Sequence, residues 1–195
     1  FGQYGYGVFA AEEDGDLGGS YSMLRATRSN ERVHVGLSRT YADHAIPDRN
    51  GEVFAFDSRY RLSDTMTAQL HLARSLIDRA GVEFDGTGRR VTLDHDPAGP
   101  WSFFYLTAIT GRGYDLNDLG FSGRDNFRNF YAQAIHRGGE LESASRFLSH
   151  RYYADLQHYL DDDGRHLYSA ASVTRESQLR GGGTLSLGWR AENNE

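Results

Sequence analysis

The chain contains no cysteine, so neither a disulfide framework nor a thiolate metal site can hold it together. Lysine is absent as well; all 21 basic side chains are arginine. Against them stand 27 carboxylates, for a net charge of −6, and no basic stripe outweighs the acids. That balance argues against nucleic acid as a partner. Proline occurs only 3 times. No apolar run approaches the ~18 uninterrupted residues that a membrane-spanning helix needs. A helical membrane protein is thereby excluded, but a β-barrel is not. In a barrel only every second residue faces lipid, and average hydropathy stays low.

What is present in quantity is aromatic side chains and glycine: 12 Tyr, 11 Phe, 2 Trp and 23 Gly in 195 residues. Barrels place aromatics at both membrane interfaces. Two-residue alternation, the signature of a strand with two unlike faces, recurs between Gly- and Asp-rich breaks. Tyr4, Tyr6, Val8 and Ala10 alternate with Gln3, Gly5 and Gly7. Val33, Val35 and Leu37 alternate with His34, Gly36 and Ser38. The clearest case sets Phe54, Phe56, Tyr60 and Leu62 against Asp57, Arg59 and Arg61. Met66, Ala68, Leu70 and Leu72 then alternate with Thr67, Gln69 and His71. A long loop is predicted over 78–89, then strands over 90–96, 101–110, 148–160, 167–176 and 183–191. Turns are expected at Asp96-Pro97-Ala98-Gly99, Asp161-Asp162-Asp163-Gly164 and Gly181-Gly182-Gly183. With residues around 21–28 and 130–134, that makes about eleven strands, joined by alternately short and long connections as in a transmembrane barrel.

Two segments also fit a helical stripe. Met66, Leu70, Ala73, Ile77 and Ala80 form one, with Asp64 as N-cap and Gly81 beyond the end. Leu141, Ala144, Leu148, Tyr152, Leu156 and Tyr159 form the other. On local pattern alone, an α+β soluble domain remains open.

Several phrases, in their order and spacing, resemble a family of bacterial outer-membrane proteins. In these a module like the family 9 carbohydrate-binding domains precedes a C-terminal β-barrel of uncharacterised function. The phrases are Ser20-Tyr21-Ser22-Met23-Leu24-Arg25-Ala26-Thr27-Arg28 with Val35-Gly36-Leu37-Ser38-Arg39-Thr40, then Asp48-Arg49-Asn50-Gly51 leading into Phe56-Asp57-Ser58-Arg59-Tyr60-Arg61-Leu62. A third is Gly113-Tyr114-Asp115-Leu116-Asn117-Asp118-Leu119-Gly120-Phe121 with Arg124. The resemblance runs over residues 1–136 and implies strand for 66–75. The carbohydrate-binding module itself is not part of this sequence, and the family offers no catalytic residue to carry over.

The expectation is therefore an all-β protein: one antiparallel transmembrane β-barrel segment over residues 1–195, incomplete at both ends, in the bacterial outer membrane. Its partners would be the lipid bilayer and, at the strand edges, the rest of the barrel or another chain; a periplasmic or surface partner stays undefined. Phe54, Phe56, Tyr60 and Leu62 are expected to face lipid, and Asp57, Arg59, Arg61, Gln69 and His71 the lumen. Passage of a solute or anchoring of a module would be its role. The other classes are a soluble β-rich carbohydrate-binding domain and an outer-membrane barrel enzyme acting on lipid. No catalytic constellation singles itself out, so no enzyme activity and no cofactor is expected. Asp115, Asn117, Asp118 and Gly120 echo a calcium loop, but Leu119 and Asn126 stand where ligands belong, so a structural turn is the better reading and no metal is expected. The eight histidines show no close zinc-ligand spacing.

Overall fold

A computed structural model describes residues 2–13, 18–44, 49–114 and 126–194. These residues form eleven β-strands and no helix. In chain order they are β1 (Gln3–Glu12), β2 (Gly19–Ser29), β3 (Val33–His44), β4 (Arg49–Arg61), β5 (Met66–Arg79) and β6 (Val82–His95). Then follow β7 (Trp101–Thr110), β8 (Phe127–Arg137), β9 (Phe147–Asp161), β10 (His166–Leu179) and β11 (Thr184–Asn194). Each strand pairs with its sequence neighbours in a single sheet ordered from β1 to β11. The order is open: β1 and β11 each have one neighbour. The chain gathers into two compact units, one of Phe1–Arg61, Gln69–Val91 and Ala108–Arg128, the other of Leu62–Ala68, Thr92–Thr107 and Asn129–Glu195.

Neither helical stripe forms a helix: 66–79 and 147–161 are strand, with Leu141 and Ala144 lying before β9. In β5 that stripe divides between the two faces, with Met66 and Leu70 on one and Ala73 and buried Ile77 on the other. In β9, Leu148, Tyr152 and Leu156 share one face, because a four-residue spacing is common to strand and helix.

The loop expected over 78–89 does not exist. β5 runs to Arg79 and β6 starts at Val82, leaving Ala80 and Gly81 as a two-residue hairpin turn. Both adopt positive φ, 52° and 80°, the conformation that favoured hairpin turns need. The Gly81 amide donates to Asp78 Oδ1 at 2.9 Å. An Ala in the first turn position hides this hairpin from a search for Asn-Gly or Asp-Gly. Connections also fail to alternate in length: three residues join β2 to β3, four join β4 to β5, and two join β5 to β6. The turns at Asp161 and Gly181 are present. Gly164 donates to Asp161 O at 3.1 Å with φ 83°, and Gly182 donates to Leu179 O at 3.2 Å with φ 89°.

Register makes the two faces of each unit explicit. In the first unit, Val8 pairs with Leu24, Leu24 with Arg39, and Arg39 with Phe54; Tyr6 pairs with Ala26, Ala26 with Leu37, and Leu37 with Phe56. Directly opposed residues point the same way. One face thus carries Tyr4, Tyr6, Val8, Leu24, Val35, Leu37, Phe54, Phe56 and Tyr60. The other carries Gly5, Arg25, Thr27, Ser29, His34, Gly36, Ser38, Asp57 and Arg59. In the second unit, Leu156, Ala171 and Ala191 line up on the apolar face, as do Ala154, Val173 and Trp189. Asp155, Ser172 and Arg190 line up on its polar face.

The faces are buried in the reverse of the usual sense. Along β2 the apolar-face positions Ser22, Leu24, Ala26 and Arg28 are exposed, while Tyr21, Met23, Arg25, Thr27 and Ser29 are half-buried. Tyr6 is 83% exposed, Val8 79% and Leu37 62%. In the second unit Leu156 is 60% exposed and Val173 51%, between half-buried Asp155, Gln157, Ser172 and Thr174. Among the described residues the only buried hydrophobic side chains are Ala42, Val53, Ile77 and Tyr114. A water-soluble domain of this length buries most of its apolar surface. This one displays it.

Candidate functional site on the polar face

In the first unit the polar face is organised around Asp57. Arg25 Nη2 donates to its Oδ1 at 2.6 Å, and His34 Nε2 lies 3.4 Å from its Oδ2. The other imidazole nitrogen of His34 is 2.6 Å from the Ser29 hydroxyl. Arg25 stands on β2 and Asp57 on β4, so their contact passes over β3 at Gly36. A β-carbon there would lie 2.7 Å from both the guanidinium and the carboxylate. Small residues on the middle strand therefore let long charged side chains meet across two strand spacings.

The expected residues divide as follows. Phe54, Phe56 and Tyr60 stand together on the apolar face of β4, with Asp57 and Arg59 opposite them. Arg59 is directly paired with His34, and Arg61 closes β4 on the same face by alternation. Leu62 lies one residue beyond β4 and is exposed, its amide donating to Met66 O at 2.9 Å. Gln69 is half-buried and His71 exposed on β5, sharing the face of buried Ser75 and Ile77. Arg39 sits on the apolar face, where it pairs with Glu52 and lies over the Phe54 ring.

Alternation alone did not find the partners of Asp57, because Arg25 and His34 become its neighbours only through the β2–β3–β4 register. The same holds for the second unit. There Asp155 accepts from Tyr131 Oη and Gln133 Nε2, both at 2.7 Å, and from Ser172 Oγ at 3.1 Å. Tyr153 donates to Glu176 Oε2 at 3.0 Å and accepts from Arg151 Nη1 at 3.2 Å. Arg190 bonds Tyr168 and Glu192. Each carboxylate is met by phenol, amide, hydroxyl or guanidinium donors, which is how half-buried charge is tolerated.

No protein-family model, curated protein or solved structure matches the chain. Function has to be read from the side chains themselves. Among the described residues no three His, Asp or Glu side chains gather closely enough to hold a metal ion. The calcium-like run Asp115, Asn117, Asp118 and Gly120 lies outside the described residues. The segment just before it packs onto β5 and β6: Gly113 O accepts from Ser75 Oγ at 3.4 Å, and Gly111 N donates to Thr87 O at 2.9 Å. Tyr114 is pressed onto Gly86 and Gly88, where a β-carbon at Gly88 would stand 2.6 Å from the phenol ring. Burial pushes the Tyr114 hydroxyl above its ordinary value of 10.0, so it stays a neutral donor.

Proposed function

We propose that the chain is part of a transmembrane β-barrel of the bacterial outer membrane, its apolar face against lipid and its polar face lining the interior. The observation that carries this reading is the inverted burial: large apolar side chains exposed in rows, charged and hydroxyl side chains half-buried in networks. Soluble monomers rarely expose contiguous apolar patches beyond about a few hundred Å². The strands, 10 to 15 residues long, reach or exceed the about 9–11 needed to cross a bilayer. The resemblance of residues 1–136 to an outer-membrane family supports the same conclusion.

On this reading Phe54, Phe56 and Tyr60 contact lipid, Leu62 lies at a strand end, and Asp57, Arg59, Arg61, Gln69 and His71 belong to the interior. The role is passage of a polar solute or anchoring of an attached module. Mixed Arg and carboxylate linings select among ions. Unpaired backbone at β1 and β11 is not tolerated in hydrocarbon, so both edges require strands from the rest of the barrel or from another chain. The test is fractionation: the protein should co-sediment with outer membranes and show heat-modifiable gel migration. Recovery as a soluble monomer without detergent would contradict it.

A further inference from the structure

Ser169, the fourth residue of β10, stands between two imidazoles. Its hydroxyl oxygen is 2.7 Å from His158 Nδ1 and 2.7 Å from His166 Nε2. His158 is its direct cross-strand partner on β9, and His166 begins β10. A hydroxyl has one proton, so it donates to one imidazole and accepts N–H from the other. That arrangement offers a base for the proton and a donor for the oxygen left behind.

Ser–His pairs across strands are not special in themselves here: Ser29 meets His34 at 2.6 Å and Ser177 meets His150 at 2.9 Å. Ser169 differs in two ways. It has the second imidazole, and it opens on a groove of about 480 Å³ on the apolar face. Ala132, Leu156, Ala171 and Ala191 form the apolar part of that groove, and His158, Ser169 and Asn193 contribute polar groups to it. The volume and lining are those of a small-ligand site, apolar with a few polar groups. Asn193 is the residue directly opposite Ser169 on β11. Its amide is a candidate donor to a carbonyl oxygen undergoing attack.

The positions along the strands suit one ligand. Ser169 is three residues from the start of β10, about 10 Å at strand rise. Ala171 and Ala191 lie further from that end. An acyl chain along the alanines would bring its ester to Ser169.

We propose that Ser169 is the nucleophile of an acyl-ester hydrolase site on this face, with a membrane lipid as substrate. Ser169 Oγ bonds to the ester carbonyl carbon as its proton passes to His158 Nδ1, the imidazole that lines the groove. The carbon–oxygen bond to the alcohol then breaks and the alcohol leaves with that proton. Water, deprotonated by the same nitrogen, releases the fatty acid and restores Ser169. His166 Nε2–H holds the hydroxyl oxygen throughout. The choice of a lipid rests on the barrel reading; the nucleophile does not.

The test uses the full chain in detergent micelles with a fluorophosphonate probe, scored by mass spectrometry, alongside p-nitrophenyl octanoate and phosphatidylethanolamine vesicles. Ser169 should carry the label and both esters should be cleaved. Ser169→Ala should abolish labelling, and His158→Asn should slow it by about 100-fold or more. Ser177→Ala should label like the parent. Heat-modifiable migration and circular dichroism confirm that each variant is folded. Absence of label on the heat-modifiable parent, or label surviving Ser169→Ala, overturns the nucleophile and leaves the barrel untouched. Label on Ser169 in a protein that is soluble and not heat-modifiable upholds the nucleophile and removes the barrel and its lipid substrate.

Discussion

Arg25 Nη2 and Asp57 Oδ1 lie 2.6 Å apart across the whole width of β3, and the contact exists because position 36 has no side chain. Gly36 is buried beneath it. Alanine there should force the ion pair apart. Gly36→Ala is expected to destabilise the protein by about 1–3 kcal/mol, the usual range for overpacking a filled site. Asp57→Asn, which keeps the shape and removes the charge, should cost nearer 1 kcal/mol, since both partners are partly solvated. Urea midpoints in micelles measure both, and an unchanged midpoint for Gly36→Ala would mean that Gly36 is not a spacer for this pair.

Leu37 separates the membrane reading from a soluble one. It is 62% exposed, with Ala26 and Phe56 directly beside it on the apolar face. In water Leu37→Arg would be close to neutral. In a bilayer it should cost roughly 2–4 kcal/mol near the midplane. Refolding into vesicles should therefore fall for Leu37→Arg and remain normal for Thr27→Ser on the opposite face. Unimpaired refolding of Leu37→Arg would place that face in water.

Arg59 and Arg61 bear on passage. Replacing both with Ala should shift planar-bilayer selectivity toward cations, because two positive charges leave the proposed lining. Arg25 and Asp57, which tie β2 to β4, stay in place, so insertion should be unchanged. Unaltered selectivity in a conducting channel would remove these arginines from the ion path, leaving them the structural role of balancing charge.

Much of the sheet was legible because alternation is a local property. Phe54, Phe56, Asp57 and Arg59 fall on the two faces that a period of two assigns them. The run 101–110 is apolar on both faces, yet it still reads as a strand and the observed bounds agree. What escaped depended on pairing or on rare backbone geometry. Arg25, His34 and Asp57 are brought together by register over distances of up to 32 residues. Tyr131 reaches Asp155, and Ser169 meets His158, in the same way. The Ala80-Gly81 turn was invisible because Ala rarely adopts φ of 52°.

The two tryptophans test the central claim most directly. Trp101 and Trp189, the only two in the chain, are both exposed, and Trp189 shares its face with Val173 and Ala154. Trp101 stacks on Phe103 and lies 4.6 Å from the His136 ring. In vesicles containing phospholipids brominated on their acyl chains, fluorescence of both should be quenched, and aqueous iodide should have little effect. Tryptophans quenched freely by iodide and untouched by brominated lipid would show that the apolar face does not meet the membrane.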